Sequence, residues 1–409
     1  MTHANGDERQ VVLIYVDAVP PPRMPFVITQ AAALKNVDPY FAGIRAYPGG
    51  REVPSDRIIA VNERDGLIGK VRELPFRRFG CAPFFRRRLR RLRPVLLHAH
   101  SGFAGVTALG LANWLRIPLL TTFHGRDATI HAKTLTSMTN HGSRTYPRRR
   151  LVLAEKGDLF IAVSQFMKEK MIEIGIPEHK IVVHYTGIDV EIFNPDRSIR
   201  REPVALFVGR LDEMKGCDFA ISAIAAVQSR MPDLRFVIIG DGLLRNHLER
   251  MAAGELRHFS FLGIQPPEVV RHWMNRASIF VAPSITARDG ETETFGMVFA
   301  EAQAMELPVA SFVSGGIPEA VVHGETGLLA KERDWKAVAH NIELLLREKE
   351  MRLRMGQAGR RRVSSLFDIR KQTLTLEAIY QQMTQMQWSK GSYTEPYWKV
   401  SVRSSREFD

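Results

Sequence analysis

The sequence predicts an α/β protein built from two doubly wound domains that face a central cleft. Strand-like runs alternate with helical patterns, which argues for parallel sheets joined by right-handed crossovers. That scheme occurs twice, and between the copies lies residues 187–203, GIDVEIFNPDRSIRREP, a polar stretch ending in Pro with no complete element. At 409 residues the chain is also too long for one ordinary core. The expected division is a first domain over 1–188 and a second over 189–370. A helix over 371–386 is expected to cross back to the first domain, and the tail 387–409 has no periodicity.

In chain order, the first domain opens on a buried apolar strand over 11–16, with a Pro-rich loop over 18–25 at its carboxyl end. A helical pattern over 26–36 follows. Residues 95–99 read as the next strand, leading to His98 and His100, then a helix over 105–115 and a strand over 118–123 ending in HGRD. Residues 158–163 are a strand, 165–174 a helix and 181–184 a short last strand. The second domain repeats the alternation: strands over 204–208, 235–239, 258–262 and 279–282, with helices over 217–229, 243–251 and 267–275 between them. Pro308 opens a further apolar strand, and helices over 334–367 complete the unit. Ligands of such folds lie at strand carboxyl ends facing the cleft.

Composition narrows the function classes. Cys81 and Cys217 stand far apart with no CxxC or Cys/His spacing, which argues against a disulfide framework or a zinc site and suits a reducing compartment. No basic segment leads into a long apolar run near residue 1, and the uncharged run over 101–115 is too short and polar to span a bilayer. The expectation is a cytoplasmic protein, peripheral on the inner face of a membrane at most. The net charge is +13, with the surplus clustered at Arg77 and Arg78, at FFRRRLRRLRP, and at 148–150. Such patches attract an anionic membrane surface or a polyphosphate. The patch Arg86, Arg87, Arg88, Arg90, Arg91 and Arg93, interleaved with Phe84, Phe85, Leu89 and Leu92, reads equally as an interfacial membrane helix or a solvated face. No nucleic-acid module is visible, so nucleic acid is not an expected partner.

The chemistry gathers around PSITARDGETETFGMVFAE at 283–301. A polar, Gly-containing loop follows a strand end and passes into a helix from about Phe295. Glu293 lies in the loop and Glu301 in the helix. Were all eight steps helical, they would stand roughly 12 Å and 80° apart. Because Glu293 precedes the helix, it can instead fold over the N-terminus, where the amides of Phe295, Gly296, Met297 and Val298 make a phosphate site. FVGRLDEMKG places Arg210 and Lys215 in one loop after the strand over 204–208. Two cations there would hold a diphosphate and stabilise the charge that grows on a departing nucleotide. The plainer alternative pairs them with Asp212 and Glu213. No D-x-D occurs, so a divalent metal held by paired aspartates is not expected. HExxH, Walker and GxSxG spacings are absent too, and Gly240-Asp241-Gly242 reads as a tight turn lining the cleft. His124, with Asp127 three residues on, would face the cleft from the first domain, though a lone His is more often structural.

Taken together, FVGRLDEMKG, the GDG loop, FLG, VAPS, the Glu293-x7-Glu301 spacing and GGIPEAVVHGETGLL resemble the retaining glycosyltransferases of family 4. So do VSQFM and TGIDVEIFNP. These enzymes have the GT-B fold of two Rossmann-like domains. The stretch over 97–129 looks most like the branch that builds exopolysaccharides of the colanic-acid and amylovoran type. The resemblance covers about residues 95–385 and implies transfer of a sugar from a nucleoside diphosphate sugar to a saccharide hydroxyl, with anomeric configuration kept. No further cofactor is implied. It assigns Arg210 and Lys215 to the diphosphate, Glu301 to the ribose, and Glu293 with the following amides to sugar and phosphate. His124 would lie at the donor sugar near the reacting carbon. Asp127 would help place donor or acceptor, and the backbone at Gly263 and Ile264 would receive the base. The first loop, VPPPRMP, departs from the Gly-Gly pair of many relatives. The basic first domain suits an acceptor carried on a lipid diphosphate. Rival readings are a nucleotide-sugar epimerase or a phosphorylase of the same architecture, and a basic membrane- or nucleic-acid-binding protein without activity.

Overall fold

The computed structural model describes residues 9–21, 24–47, 53–63, 67–79 and 82–385. Cys81, the side chains of Arg77 and Arg78, residues 22–23 of the first loop and the tail lie outside the described residues. The first unit contains strands Gln10–Tyr15 (β1), Ala18–Val19 (β2), Val37–Ala46 (β3), Ile58–Asn62 (β4), Leu96–His100 (β5), Leu119–Phe123 (β6), Leu159–Ala162 (β7) and Ile181–Val183 (β8). They pair in parallel in the order β2-β3-β1-β5-β6-β7-β8, with β4 joined to β3. The second unit contains Val204–Val208 (β9), Arg235–Ile239 (β10), Phe259–Phe261 (β11), Ile279–Val281 (β12), Val309–Val313 (β13) and Gly327–Lys331 (β14), all parallel in the order β11-β10-β9-β12-β13-β14.

Both faces of each sheet are covered, which is why the strands read as unbroken apolar runs. In β1, Val12 and Ile14 join one core with Leu96 and Leu120, while Leu13 and Tyr15 join the other with Leu97 and Leu119. The period of two thus sorts one strand into two cores.

One of these cores is completed from the far end of the chain. The helix Ile369–Gln385 places Leu376, Ile379, Tyr380 and Met383 against the first sheet. Burying each contributes about 2 kcal/mol, an upper figure for a compact unfolded chain. Glu377 on the same helix accepts hydrogen bonds from the backbone amides of Lys35 and Asn36, each 2.6 Å, and from the Asn36 side chain at 2.6 Å. The carboxylate is nearly buried. Glu377→Ala should therefore destabilise the protein by about 3 kcal/mol, because two amides lose their acceptor. Urea unfolding followed by circular dichroism measures this, and an unshifted curve would show the helix is held by its apolar face alone.

Several boundaries differ from the sequence reading. Strands β3 and β4 and the helix His141–Lys156 were not expected. Pro39 and Gly43 interrupt the alternation of β3, and Pro147 lies inside that helix. The helix expected over 26–36 is Pro25–Ala32, since Val37 already starts β3. Strand β14 was missed because its Gly-flanked run, GLLAK, is short. The Arg-rich segment is a helix, Pro83–Arg91, but its apolar face is occupied: Phe85 and Leu89 are buried in the first unit's core. Only Phe84 stays 68% exposed. That corrects the interfacial-helix reading, because a helix whose apolar face packs inward cannot lay it in a bilayer. Arg88 pairs with Glu63, and Arg86 and Arg90 lie over Trp114 at 5.1 and 5.8 Å. Arg87, Arg91 and Arg93 are exposed. Among the described residues no helix is long and apolar enough to cross a membrane.

Candidate active site

Strand order reverses between β9 and β12, where the neighbours of β9 lead away on opposite sides. The loops after these two strands therefore open into a crevice at their carboxyl ends. The loop after β9 carries Arg210 and Lys215, and the loop after β12 carries Glu291 and Glu293. Lys215 pairs with Glu293, and both side chains are mostly buried, 14% and 11% exposed. Arg210 reaches Glu291 at 2.8 Å and Asp212 at 3.1 Å. Of the plainer pairings only Arg210 with Asp212 occurs. Lys215 turns away from Glu213 and into the crevice.

The helix after this loop is Met297–Ala304, two residues later than the sequence suggested. Phe295 is drawn into an aromatic cluster with Tyr185 and Phe367, at 5.5 and 4.9 Å. Gly296 then turns in the left-handed region, φ 76°, and caps the helix. Any Cβ there would meet the Phe299 ring at 2.4 Å, so Gly is required. The amides of Met297 and Val298 are first-turn donors with no intrahelical acceptor. Behind them the main chain of Gly316 donates to the Glu293 carbonyl at 2.8 Å, and a Cβ at Gly316 would lie 2.0 Å from the Thr294 carbonyl oxygen. Two chain segments touch at this point, which is what fixes Glu293.

The Glu301 side chain, one turn into the helix, makes no hydrogen bond or ion pair among the described residues. Burial pushes its carboxyl up to about 7, while the Lys215 charge pulls it back. An unpartnered, half-buried carboxyl near a cation is a candidate ligand group rather than a structural one.

Gly263 adopts φ 70°, and its carbonyl accepts from the Gly240 amide at 2.8 Å. Leu211 donates to the Asp241 carbonyl at 2.9 Å, tying the GDG turn to the cation loop. Ile264 and Leu243 project from this region almost wholly exposed, at 80% and 99%. Two bare aliphatic side chains here suit a flat apolar ring.

From the first unit, His124 follows β6. Its carbonyl accepts from the Thr294 hydroxyl at 2.7 Å, so the first-domain loop is fastened to the residue after Glu293. Ser164 reinforces that seam by donating to the Thr294 carbonyl at 2.5 Å, and Glu319 accepts from the amides of Gln165 and Phe166. Burial lowers the His124 imidazole to about 3, leaving it neutral. Asp127 is fully buried, and its carboxylate accepts from the amides of Gly102, Gly125 and His124 at 2.7, 2.9 and 3.4 Å. Burial raises its pKa and these amides oppose the rise. With both oxygens engaged by backbone, Asp127 shapes the His124 loop and does not face the crevice.

The sequence reading overlooked Glu291 and Arg126. Glu291 takes Arg210 from its own unit and Arg126 from the other, bridging the crevice. A carboxylate between two arginines was invisible in sequence because one partner lies 165 residues away.

Two family models match the chain: "Glycosyltransferase Family 4" over residues 30–192 and "Glycosyl transferases group 1" over residues 190–362. Among curated proteins, the amylovoran biosynthesis glycosyltransferase AmsK of Erwinia amylovora is 33% identical over 59% of this chain and 58% of its own length. The putative colanic acid biosynthesis glycosyltransferase WcaL of Salmonella typhimurium is 32% identical over 60% and 59%. The matched part thus spans about three-fifths of those relatives. Among solved structures, Anabaena HepE in complex with UDP and glucose aligns with TM-score 0.71 at 19% identity, covering 91% of this chain and all of that one. Sucrose-phosphate synthase from Thermosynechococcus elongatus aligns at 0.73 and 19%, covering 92% and 99%. At that identity the likeness speaks for the fold.

Proposed function

The chain belongs to the family 4, group 1 glycosyltransferases of GT-B fold, and from that premise we propose that it moves a sugar from a nucleoside diphosphate sugar to a saccharide hydroxyl. The anomeric configuration is kept, and the product belongs to exopolysaccharide or cell-surface glycan synthesis, as the names of its relatives suggest. One observation carries the reading. Arg210 and Lys215 enter the β9/β12 crevice already paired with carboxylates, and a diphosphate arriving there would replace those partners.

In this reading the bond from the anomeric carbon to the phosphate oxygen breaks on the face the acceptor approaches. The acceptor oxygen bonds the same carbon, and its proton passes to the departing phosphate. Arg210, Lys215 and the Met297 and Val298 amides stabilise the negative charge on that phosphate. Glu293, released from Lys215 by the diphosphate, accepts from sugar hydroxyls, while neutral His124 meets the sugar from the other domain. Glu301 accepts from the ribose, and the base rests at Gly263 and Ile264. Closure along the Thr294 seam keeps water from the anomeric carbon.

No metal enters the proposal. The chain has no D-x-D, and among the described residues no three His, Cys, Asp or Glu side chains cluster as ligands. Thermal shift against UDP, GDP and ADP sugars in EDTA tests both donor and metal. One donor at 100 times its dissociation constant should stabilise the protein by about 2.7 kcal/mol. A shift seen only with Mg²⁺ would overturn the metal-free reading, and no shift with any donor would favour a binding protein without activity.

The acceptor we propose is lipid-linked. The exposed Arg87, Arg91 and Arg93, in a chain of net charge +13, would hold it near an anionic surface by charge alone. Co-sedimentation with phosphatidylserine vesicles should then fade between low salt and about 0.5 M, where the Debye length falls to roughly 4 Å. Binding that survives such salt would point to apolar insertion instead.

A further inference from the structure

Beside the crevice, four histidine and tyrosine rings form a line, of which the mechanism above uses only His124. His124 Nε2 lies 3.1 Å from His100 Nδ1, with the two rings stacked at 5.3 Å and 9° from parallel. The His100 ring stands 4.2 Å from that of His98. His98 is held at both nitrogens: Nδ1 by the Tyr380 hydroxyl and Nε2 by the Thr122 hydroxyl, each at 2.7 Å. Tyr380 belongs to the helix Ile369–Gln385, so the line starts on the segment that returns from the second domain. Phe26 closes the other side of His124, its ring centroid 5.1 Å away.

We propose that His100 is a positioning residue that fixes the ring plane and the tautomer of His124. The inference rests on the reading of His124 as the first domain's contact to the donor sugar. Between two neutral imidazoles facing each other, a single proton occupies the pair, so one nitrogen donates and the other accepts. Burial keeps all three rings neutral: it holds His98 and His100 well below the ordinary imidazole range and His124 near 3. Whichever way the His100–His124 proton lies, it decides whether the remaining His124 nitrogen, Nδ1, offers the sugar a donor or an acceptor. A solvated imidazole exchanges its proton between the two nitrogens through water. In His124 one nitrogen is engaged by His100 and the ring is walled by Phe26, so that nitrogen neither turns away nor exchanges freely with water, and His100 is itself backed by a ring pinned at both ends.

The test is the ¹⁵N spectrum of the histidine side chains in the full chain, without ligand. Wild type should show His124 in one tautomer, and His100→Leu should show averaged ring shifts. In steady state with the donor selected by thermal shift, His100→Leu should lower kcat by roughly 10-fold or more, the scale felt when a functional histidine loses its orienting partner. Donor KM should change little, and His100→Asn, whose amide can face His124 Nε2, should recover most of the rate. A mixed tautomer in the wild type overturns the inference even if no variant folds well enough for kinetics, and identical His124 shifts in folded His100→Leu overturn it as well. The underlying reading fails separately: His124→Ala with a wild-type rate would remove His124 from the donor, whatever its tautomer.

Discussion

Lys215→Ala should lower the rate of sugar transfer by about 10²-fold or more, the scale on which one charge-stabilising donor is felt. Two effects add. The growing charge on the departing phosphate loses its nearest compact cation, and Glu293 is left as a mostly buried carboxylate without its partner. Leaving a buried charge unpaired is costly, so the variant should also unfold at lower denaturant. Lys215→Ala with Glu293→Gln separates the contributions, since it removes the stranded charge and should regain stability without regaining turnover. A single variant that transfers sugar at the wild-type rate would remove Lys215 from the chemistry.

Glu301→Ala should raise the donor KM strongly, with kcat less affected, because the carboxyl reports on ground-state binding of the ribose. The same residue imposes a pH dependence. Burial lifts its carboxyl to about 7, so below that pH it is protonated and above it ionised. Only the ionised form accepts at both oxygens, so donor KM should fall as pH rises through 7. That dependence should vanish in Glu301→Gln. For stability the sign is opposite: the folded state holds the proton more tightly than the unfolded chain, so ionisation between the ordinary value of 4.5 and about 7 weakens the fold. Donor binding offsets that loss. A KM independent of pH from 6 to 8 would contradict the ribose assignment.

Much of this was legible in the residues, and the reasons differ by element. Strands such as β1 and β9 announce themselves because both faces are buried and the run is unbroken. The cation loop and the Glu293-to-Glu301 segment are legible because their parts are neighbours in sequence and need Gly at a fixed place. What sequence does not carry is the pairing across the crevice. Asp127 looks like a ligand until the amides of Gly102 and Gly125 are seen to occupy it. Glu291 looks like loop polarity until Arg126 arrives from the other domain. The arginine-rich helix has the composition of a membrane anchor, yet the direction of Phe85 and Leu89 is set by Phe76, 9 residues before Phe85 and 13 before Leu89, which periodicity alone cannot place.

The account turns on two side chains holding a diphosphate with no metal beside them. Calorimetric titration of the donor's free nucleoside diphosphate, in EDTA, into wild type and into Arg210→Ala/Lys215→Ala tests this most directly. Wild type should bind with unchanged affinity when Mg²⁺ is added, and the double variant should lose most of that affinity while keeping its fold. Equal binding by both proteins, or wild-type binding only with Mg²⁺ present, would contradict it.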